Sequence, residues 1–228
     1  MQLLWIFLVL TLPLFSRQTQ ALSQLVYEIR CPETDRAHFR NVLEKIGEYL
    51  ALDVLEELET EETDIQTVTG STAKHHLIRE TPALVTILRA GLPLNTGIMK
   101  VFPDADVGFL AMSRNEKTLK SLTEYVAFPT IQGRDVIISD TMLATGGSLL
   151  DAIQFVEKQG PRRIFIIAAI ASKPGIDRIL KAHPNVKIFA AAVDDALNER
   201  GFIIPGLGDA GDRSFGRKTI SSSSALER

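Results

Sequence analysis

An acid followed by a glycine-rich turn is the feature of this sequence best suited to chemistry. The stretch from Val136 to Ser148 reads V-I-I-S-D-T-M-L-A-T-G-G-S. Its apolar start predicts a buried strand of a parallel sheet, with Asp140 at the end of that strand. Gly146 and Gly147 have no Cβ, so the backbone there can approach a ligand closely. Ser148 is a suitable N-cap for a following helix, whose free N–H groups would bind an anion such as phosphate. A tight strand-to-helix turn without a ligand is the alternative interpretation.

Two arginines follow other predicted strands, at the position where α/β sheets bind ligands. The apolar segment from Leu84 to Leu88 leads to Arg89, and the segment from Val107 to Met112 leads to Arg114. A planar guanidinium matches phosphate oxygens in a bidentate fashion. The pair is therefore a candidate for holding a leaving group of high charge.

The segment from Asp194 to Gly216 is rich in glycine and includes a proline. This composition predicts an ordered loop whose backbone approaches a flat ligand. The segment contains a literal match to G-x-G-x-x-G between Gly206 and Gly211. We reject the dinucleotide interpretation, because that fingerprint needs a following helix, a second strand and an acid about 20 residues further on, and too little chain remains.

These segments together resemble the motifs of uracil phosphoribosyltransferases, in matching order from about Leu22 to Phe215. The stretch D-T-M-L-A-T-G-G-S is similar to the loop that binds phosphoribosyl diphosphate (PRPP). I-L-R-A-G-L at Ile87 to Leu92 and S-R-N-E at Ser113 to Glu116 resemble two further motifs, which implies that Arg89 and Arg114 contact the diphosphate. The segment L-N-E-R-G-F-I-I-P-G-L-G-D-A-G-D-R-S-F-G resembles the family's uracil loop, which other phosphoribosyltransferases lack.

The resemblance implies an α/β fold with a parallel sheet flanked by helices, the type I phosphoribosyltransferase fold. It also implies a flexible hairpin flap at Lys117 to Gly133 and a C-terminal base-binding hood. The alternation of strands and helices independently predicts right-handed βαβ units and a parallel sheet with helices on both faces. We expect residues 1–21 to be an apolar extension, 22–218 the uracil phosphoribosyltransferase domain, and 219–228 a disordered tail.

The implied reaction converts uracil and PRPP to UMP and diphosphate, a step of pyrimidine salvage. The implied catalytic residues are Asp140 and Asp209. The residues implied to bind PRPP are Arg89, Arg114, Asp140, Thr141, Met142, Leu143, Ala144, Thr145, Gly146, Gly147, Ser148 and Asp209. Those implied to bind uracil are Ile203, Gly208, Asp209 and Ala210. The resemblance implies Mg²⁺ held mainly through PRPP rather than by protein ligands, GTP as an activator of some members, and a homodimer or larger homo-oligomer.

The sequence departs from the family pattern at several positions. Ser113 and Phe202 replace tyrosines, Thr141 replaces a proline, and a lysine usual near the end of the flap is missing around Ala127-Phe128. These departures leave open a catalytically weak regulator of the same fold that senses PRPP or a nucleotide. A transferase for another base is a third interpretation, although the uracil loop argues against purines.

The composition places limits on the class of protein. The chain has 228 residues, with 25 basic and 28 acidic side chains, which suits one ordinary domain and argues against a dedicated nucleic-acid surface. A single cysteine, Cys31, excludes an internal disulfide and fits a reducing compartment. We therefore expect the protein to be cytoplasmic.

Three interpretations compete for the apolar segment from Met1 to Phe15. It is short for a transmembrane helix, and no basic residue precedes it as in a signal peptide. A weak signal, an extension that touches a membrane or partner, and a start codon placed too far upstream all remain open. We favour an extension outside the fold.

Three further local expectations concern the segment between Thr34 and His76. Thr34 or Asp35 can cap a helix predicted to run to about Leu58, with one apolar face. Residues 65–68 alternate in polarity and predict a strand of a hairpin arm. His75 and His76 point in different directions because they are adjacent, so we interpret them as surface loop residues rather than a metal pair.

Overall fold

The computed structural model of the chain describes residues 14–15, 19–114 and 121–218, so the predicted tail lies outside the described residues. The strands are β1 (Leu14–Phe15), β2 (Thr60–Gln66), β3 (Thr72–Ile78), β4 (Ala83–Leu88), β5 (Val107–Arg114), β6 (Ser121–Ala127), β7 (Asp135–Leu143), β8 (Arg163–Ser172), β9 (Lys187–Asp194), β10 (Ala196–Leu197) and β11 (Ile203–Ile204). The helices are α1 (Gln20–Arg30), α2 (Arg36–Leu55), α3 (Leu92–Val101), α4 (Gly147–Glu157), α5 (Lys173–Ala182) and α6 (Ala210–Phe215).

The main sheet of the described residues has seven strands in the order β1-β9-β8-β7-β4-β5-β6. Neighbouring strands are parallel except β5 and β6, which are antiparallel. From β4 the chain passes through α3 to β5 on one side, whereas from β7 it passes through α4 to β8 on the other. The strand order therefore reverses between β4 and β7, where open α/β sheets bind ligands. The predicted fold class is confirmed.

Side chains alternate between the two faces of the sheet along each strand, so both faces carry apolar residues. Helices cover both of these faces. Ile137 of β7 packs in the layer that contains α1, α2 and α3, whereas Val136 and Ile138 pack in the layer with α4 and α5. The predicted apolar face of α2 is fully buried. Asp35 caps α2 by accepting a hydrogen bond from the backbone N–H of His38 at 2.8 Å. The helix ends at Leu55, slightly before the predicted end.

The hairpin of β2 and β3 corrects two local predictions. β2 begins at Thr60 and ends at Gln66, so the predicted strand at residues 65–68 is displaced towards the turn. The backbone N–H of Thr67 donates to the carbonyl of Ser71 at 2.9 Å, and this hydrogen bond closes the turn. His75 and His76 lie in β3 rather than in a loop, although both are exposed as predicted.

The segment predicted as a flap is partly built into the main sheet. Lys117 to Lys120 lie outside the described residues, but β6 pairs with β5 and forms a sheet edge. Ile131, within the second half of the predicted flap, is buried in the layer that contains α4. An apolar anchor of this kind holds the second half of the segment against the core.

The N-terminal end of the described chain also contributes to the sheet. Leu14 and Phe15 pair in parallel with Ile188 and Phe189 of β9, so these two residues of the predicted extension form an edge strand. Residues 1–13 lie outside the described part of the chain. Within that described part, none of the helices combines the length and the apolar character needed to cross a membrane.

Candidate active site

The turn after β4 links the other two predicted motifs at the carboxyl edge of the main sheet. Thr141 of β7 donates its hydroxyl to the carbonyl of Ala90 at 2.6 Å. Arg89 donates to the Asp212 carboxylate at 3.3 Å and to the Gly216 carbonyl at 3.4 Å. Three motifs that lie far apart in the chain therefore meet on one side of the sheet. The contacts of Arg89 are long for hydrogen bonds and its side chain is 40% exposed, so an anion can compete for the guanidinium.

Arg114 is the last residue of β5, the strand that pairs with β4. Its backbone therefore ends at the same edge of the sheet as Arg89. The structure describes only the backbone of Arg114, so the contact of its side chain with the diphosphate stays a prediction.

The predicted PRPP loop begins later than the sequence suggests. β7 continues through Asp140 to Leu143, and its pairing with β8 continues as far as Leu143 and Ala171. Thr141 and Leu143 are fully buried, whereas Met142 is half-buried. The turn that faces solvent therefore begins at Ala144, and Thr141 and Leu143 can reach a ligand only through their backbone.

Asp140 lies in a setting that favours its neutral form. Asp140 is half-buried near the end of β7, and burial raises the pKa of its carboxyl group to about 7 from an ordinary value of 3.8. Hydrogen bonds from the backbone N–H groups of Thr141 and Met142 favour the carboxylate and oppose this shift. Asp140 is therefore poised to change charge close to neutral pH.

The N-terminus of α4 has the geometry of an anion site. Gly146 is the N-cap, with φ of 76° and without a side-chain cap, and the helix begins at Gly147. The prediction that Ser148 is the N-cap is therefore wrong, because the left-handed turn at Gly146 starts the helix earlier. A Cβ on Gly147 would come no closer to another group than 3.7 Å, from Thr145 Oγ1. Open space thus lies beside the first backbone N–H groups of α4.

Two side chains that the sequence analysis did not select hold this turn in place. Ser172 donates to the carbonyl of Ala144 at 2.6 Å and accepts from the backbone N–H of Gly175 at 3.0 Å as the N-cap of α5. Arg178 of α5 donates to the carbonyl of Thr145 at 3.0 Å. A serine just before a helix with proline in its first turn is a recognisable N-cap signal. No sequence signal identifies the role of Arg178.

The predicted uracil loop combines short regular elements with turns. Ile203 is buried in β11, which pairs with β10, and Ala210 is buried at the start of α6. Gly208 and Asp209 are exposed between them, and Gly208 has φ of 84°. Asp209 caps α6 by accepting a hydrogen bond from the backbone N–H of Asp212 at 2.8 Å.

Arg213, which the sequence analysis also passed over, joins this loop to α1. Its guanidinium donates to the carbonyl of Leu207 at 2.9 Å, to the carbonyl of Cys31 at 2.7 Å and to the carbonyl of Ile29. It also lies 4.3 Å from the centre of the Phe39 ring. One arginine thus binds carbonyls at the end of α1 and fixes the predicted uracil loop against the helical layer.

A family model described as Uracil phosphoribosyltransferase matches residues 16–217 of the sequence. The chain belongs to the uracil phosphoribosyltransferase family. The predicted family is confirmed, and so is the predicted enzyme class, since the family consists of pentosyltransferases.

Individual relatives of the family match over most of their length. The uracil phosphoribosyltransferase of Clostridium novyi (strain NT) is 42% identical over 191 residues, which are 83% of this chain and 91% of that protein. The uracil phosphoribosyltransferase of Geobacillus sp. (strain WCH70) is 40% identical over the same shares. The solved structure of the AQ2163 protein from Aquifex aeolicus is 35% identical, with a TM-score of 0.84 over 91% of this chain and 100% of that chain.

Proposed function

We propose that this protein transfers the phosphoribosyl group of PRPP to uracil, giving UMP and diphosphate in pyrimidine salvage. The observation that carries the proposal is the turn at Arg89, which contacts both β7, the strand of Asp140, and the segment that includes α6. It brings an arginine, a carboxyl group and a glycine-rich helix N-terminus to one edge of the sheet, within a chain that belongs to the uracil phosphoribosyltransferase family.

Phosphate groups of PRPP are matched by two kinds of donor in this proposal. Arg89 and Arg114 would bind the diphosphate with their guanidinium groups. The turn from Ala144 to Ser148 would bind the 5′-phosphate through the backbone N–H groups at the start of α4. Thr141, Met142 and Leu143 would contribute through their backbone, since Thr141 and Leu143 are fully buried.

Uracil would lie against the loop that contains Ile203, Gly208, Asp209 and Ala210. Backbone N–H and C=O groups there would read the edge of the base. A site made of fixed polar groups rejects an analogue that leaves them unpaired. We therefore expect cytosine to be a poor substrate.

The proposed reaction forms one bond and breaks another at the anomeric carbon of ribose. N1 of uracil forms a bond to C1, the bond from C1 to the diphosphate oxygen breaks, and the N1 proton leaves to a base or to water. Positive charge develops on the ribose ring in the transition state. A carboxylate at Asp140 would hold ribose hydroxyls and stabilise this charge, so that positioning and electrostatics supply most of the catalysis. Asp209 is our candidate for accepting the proton, in addition to its role as a helix cap.

Mg²⁺ would neutralise the diphosphate, bound mainly through PRPP oxygens and water. Within residues 14–15, 19–114 and 121–218, no group of three or more His, Cys, Asp or Glu side chains that could hold a metal ion occurs. We further propose a cytoplasmic homodimer or larger homo-oligomer, with GTP tested as an activator.

The decisive experiment measures UMP formation from radiolabelled uracil, PRPP and Mg²⁺ by the purified protein, with and without GTP. We expect turnover with uracil and little with cytosine, hypoxanthine or orotate. Binding of PRPP by calorimetry without any turnover would contradict the proposal and favour a regulator that senses PRPP. Turnover with another base in preference to uracil would overturn the assignment of the substrate.

A further inference from the structure

An ion pair next to the predicted uracil loop joins α1 to the end of β9. Arg30, the last residue of α1, donates to both carboxylate oxygens of Asp194, the last residue of β9, at 2.7 and 3.0 Å. The Asp194 side chain is 7% exposed and the Arg30 side chain is 24% exposed. A bidentate pair of this kind fixes the orientation of both groups as well as their separation.

The same pair forms hydrogen bonds with the backbone N–H and the carbonyl of Gly206, in the predicted uracil loop. Asp194 accepts a hydrogen bond from the backbone N–H of Gly206 at 2.9 Å, and Arg30 donates to the carbonyl of Gly206 at 3.0 Å. Gly206 has φ of 60°, and a Cβ there would lie 2.1 Å from the carbonyl oxygen of Ile203. The pair therefore fixes a tight turn that packs directly on Ile203 and leads into Gly208.

We propose that Arg30 and Asp194 are positioning residues for the pyrimidine site and act through the backbone of Gly206. The inference rests on the proposed function, in which Ile203 and Gly208 contact uracil. Recognition by backbone groups depends on how accurately that backbone is held, because small displacements weaken each hydrogen bond to the base. The Arg30–Asp194 pair holds the backbone of Gly206 in place and does not itself contact the substrate.

The chain provides a matched control for a role in stability alone. Asp135 is also a buried carboxylate, bound by Arg162 at 2.9 Å for both contacts and by Arg163 at 2.5 and 3.0 Å. It lies at the first residue of β7, at the opposite edge of the sheet from the carboxyl ends of the strands. Asp194→Asn and Asp135→Asn each remove a buried carboxylate that is paired with arginine, so both changes should destabilise the fold. Only the pair at Gly206 should alter use of the base.

The test compares Asp194→Asn, Arg30→Met and Arg30→Lys with Asp135→Asn in the full-length protein. Steady-state kinetics would give KM and kcat for uracil and for PRPP separately, together with the ratio of kcat/KM for uracil over cytosine. We expect Asp194→Asn and Arg30→Met to raise KM for uracil by about tenfold or more, with KM for PRPP changed by less than about twofold. The ratio for uracil over cytosine should fall in the same variants.

Arg30→Lys keeps the positive charge beside Asp194. It therefore keeps the inference testable if Arg30→Met does not fold. A lysine can contact either Asp194 or the Gly206 carbonyl but lacks the planar fork needed for both, so we expect an intermediate KM for uracil. Asp135→Asn should lower the melting temperature and leave both KM values as in the wild type. An equal rise of both KM values in the Arg30 and Asp194 variants, or no change in either, would overturn the inference. Failure of the proposed function would be read separately, from an inactive wild-type protein.

Discussion

Asp140 combines two properties that its position in the sequence does not explain. Its carboxyl group lies within β7 rather than after it, and burial raises its pKa to about 7. Polar backbone N–H groups of Thr141 and Met142 compensate only part of that cost. A carboxyl group that changes charge near neutral pH is suited to a site that receives a highly charged substrate, because bound cations and hydroxyl groups favour its carboxylate form.

Replacement of Asp140 by asparagine should change how stability depends on pH. The folded-state pKa lies above the ordinary value of 3.8, so the folded protein binds more protons than the unfolded chain and loses stability as pH rises from about 4 to about 7. Asp140→Asn lacks this titration. The free energy of unfolding of the wild type should therefore fall relative to the variant by on the order of 3 kcal/mol over this range.

Urea unfolding of both proteins at a series of pH values measures this difference. A difference that stays constant with pH would show that burial does not raise the pKa of Asp140. In kinetic assays, kcat/KM for PRPP should rise with pH through the same pKa in the wild type, because this parameter reports groups of the free enzyme. That dependence should be lost in Asp140→Asn.

Replacement of Asp209 by asparagine separates the effect of its negative charge from its structural role as the N-cap of α6. Asparagine is as good an N-cap as aspartate, so Asp209→Asn should keep the hydrogen bond to the backbone of Asp212 and preserve α6. If the carboxylate takes part in the reaction, kcat should fall by about tenfold or more with little change in melting temperature. Thermal unfolding and steady-state kinetics on the same preparation make the comparison, and unchanged kinetics would remove the Asp209 charge from the mechanism.

At the scale of elements, the start of α4 shows how a turn is made available to a ligand. Gly146 has φ of 76°, and this left-handed geometry closes the turn without a side-chain cap. Gly147 is the first helical residue and has open space beside it. Ser172, the last residue of β8, and Arg178 of α5 donate hydrogen bonds to carbonyl groups of the turn. Hydrogen bonds therefore hold the carbonyl groups of the turn in place. The space beside Gly147 is open, and there we propose that a phosphate binds.

Alanine substitutions at Gly146 and Gly147 should therefore have opposite effects on the free energy of unfolding. Gly147→Ala should keep or raise the free energy of unfolding, by up to about 1 kcal/mol, because alanine favours a helix and nothing obstructs its methyl group. The methyl group would occupy the space proposed for phosphate, so KM for PRPP should rise. Gly146→Ala should lower the free energy of unfolding by about 1–2 kcal/mol, because its φ is unfavourable for a residue with a Cβ.

Chemical unfolding and PRPP saturation curves on the two variants test this pair of expectations. A Gly147→Ala protein with a normal KM for PRPP would show that the phosphate lies elsewhere. Loss of stability in that variant would instead contradict the open space seen beside the residue.

At the scale of the whole molecule, the sheet separates the site from the N-terminal edge strand. β1 pairs with Ile188 and Phe189, near the start of β9, whereas the site lies at the carboxyl ends of the strands. Deletion of residues 1–15 should leave kcat and both KM values unchanged. It should lower the melting temperature by about 2–4 °C, as expected for loss of about 1 kcal/mol in a chain of this size.

Deletion of residues 1–13 is the matched control, because it retains β1. This shorter deletion should leave both kinetics and melting temperature as in the full-length protein. Calorimetry and the UMP assay measure both properties. A strong loss of activity on either deletion would show that the N-terminal segment reaches the site.

Local signals in the sequence were sufficient to predict much of the fold and part of the site. The apolar period predicted the buried face of α2, and the apolar runs predicted β4, β5 and the start of β7 close to their observed positions. The glycine-rich turn predicted the start of a helix, and α4 begins there. These features depend on residues that are neighbours in the chain, so periodicity and turn chemistry are enough to recognise them.

Tertiary structure alone decided which side chains support the site. Arg30 and Asp194 are 164 residues apart in the sequence, and Arg213 reaches the end of α1 across 184 residues. It also decided that β7 extends to Leu143, since that extension is stabilised by pairing with β8. Such contacts depend on which helix packs over which strand end, and no spacing within the chain encodes that neighbour. The sequence therefore determined which residues lie at the carboxyl edge of the sheet, and the packing of α1 and α5 determined how firmly those residues are held.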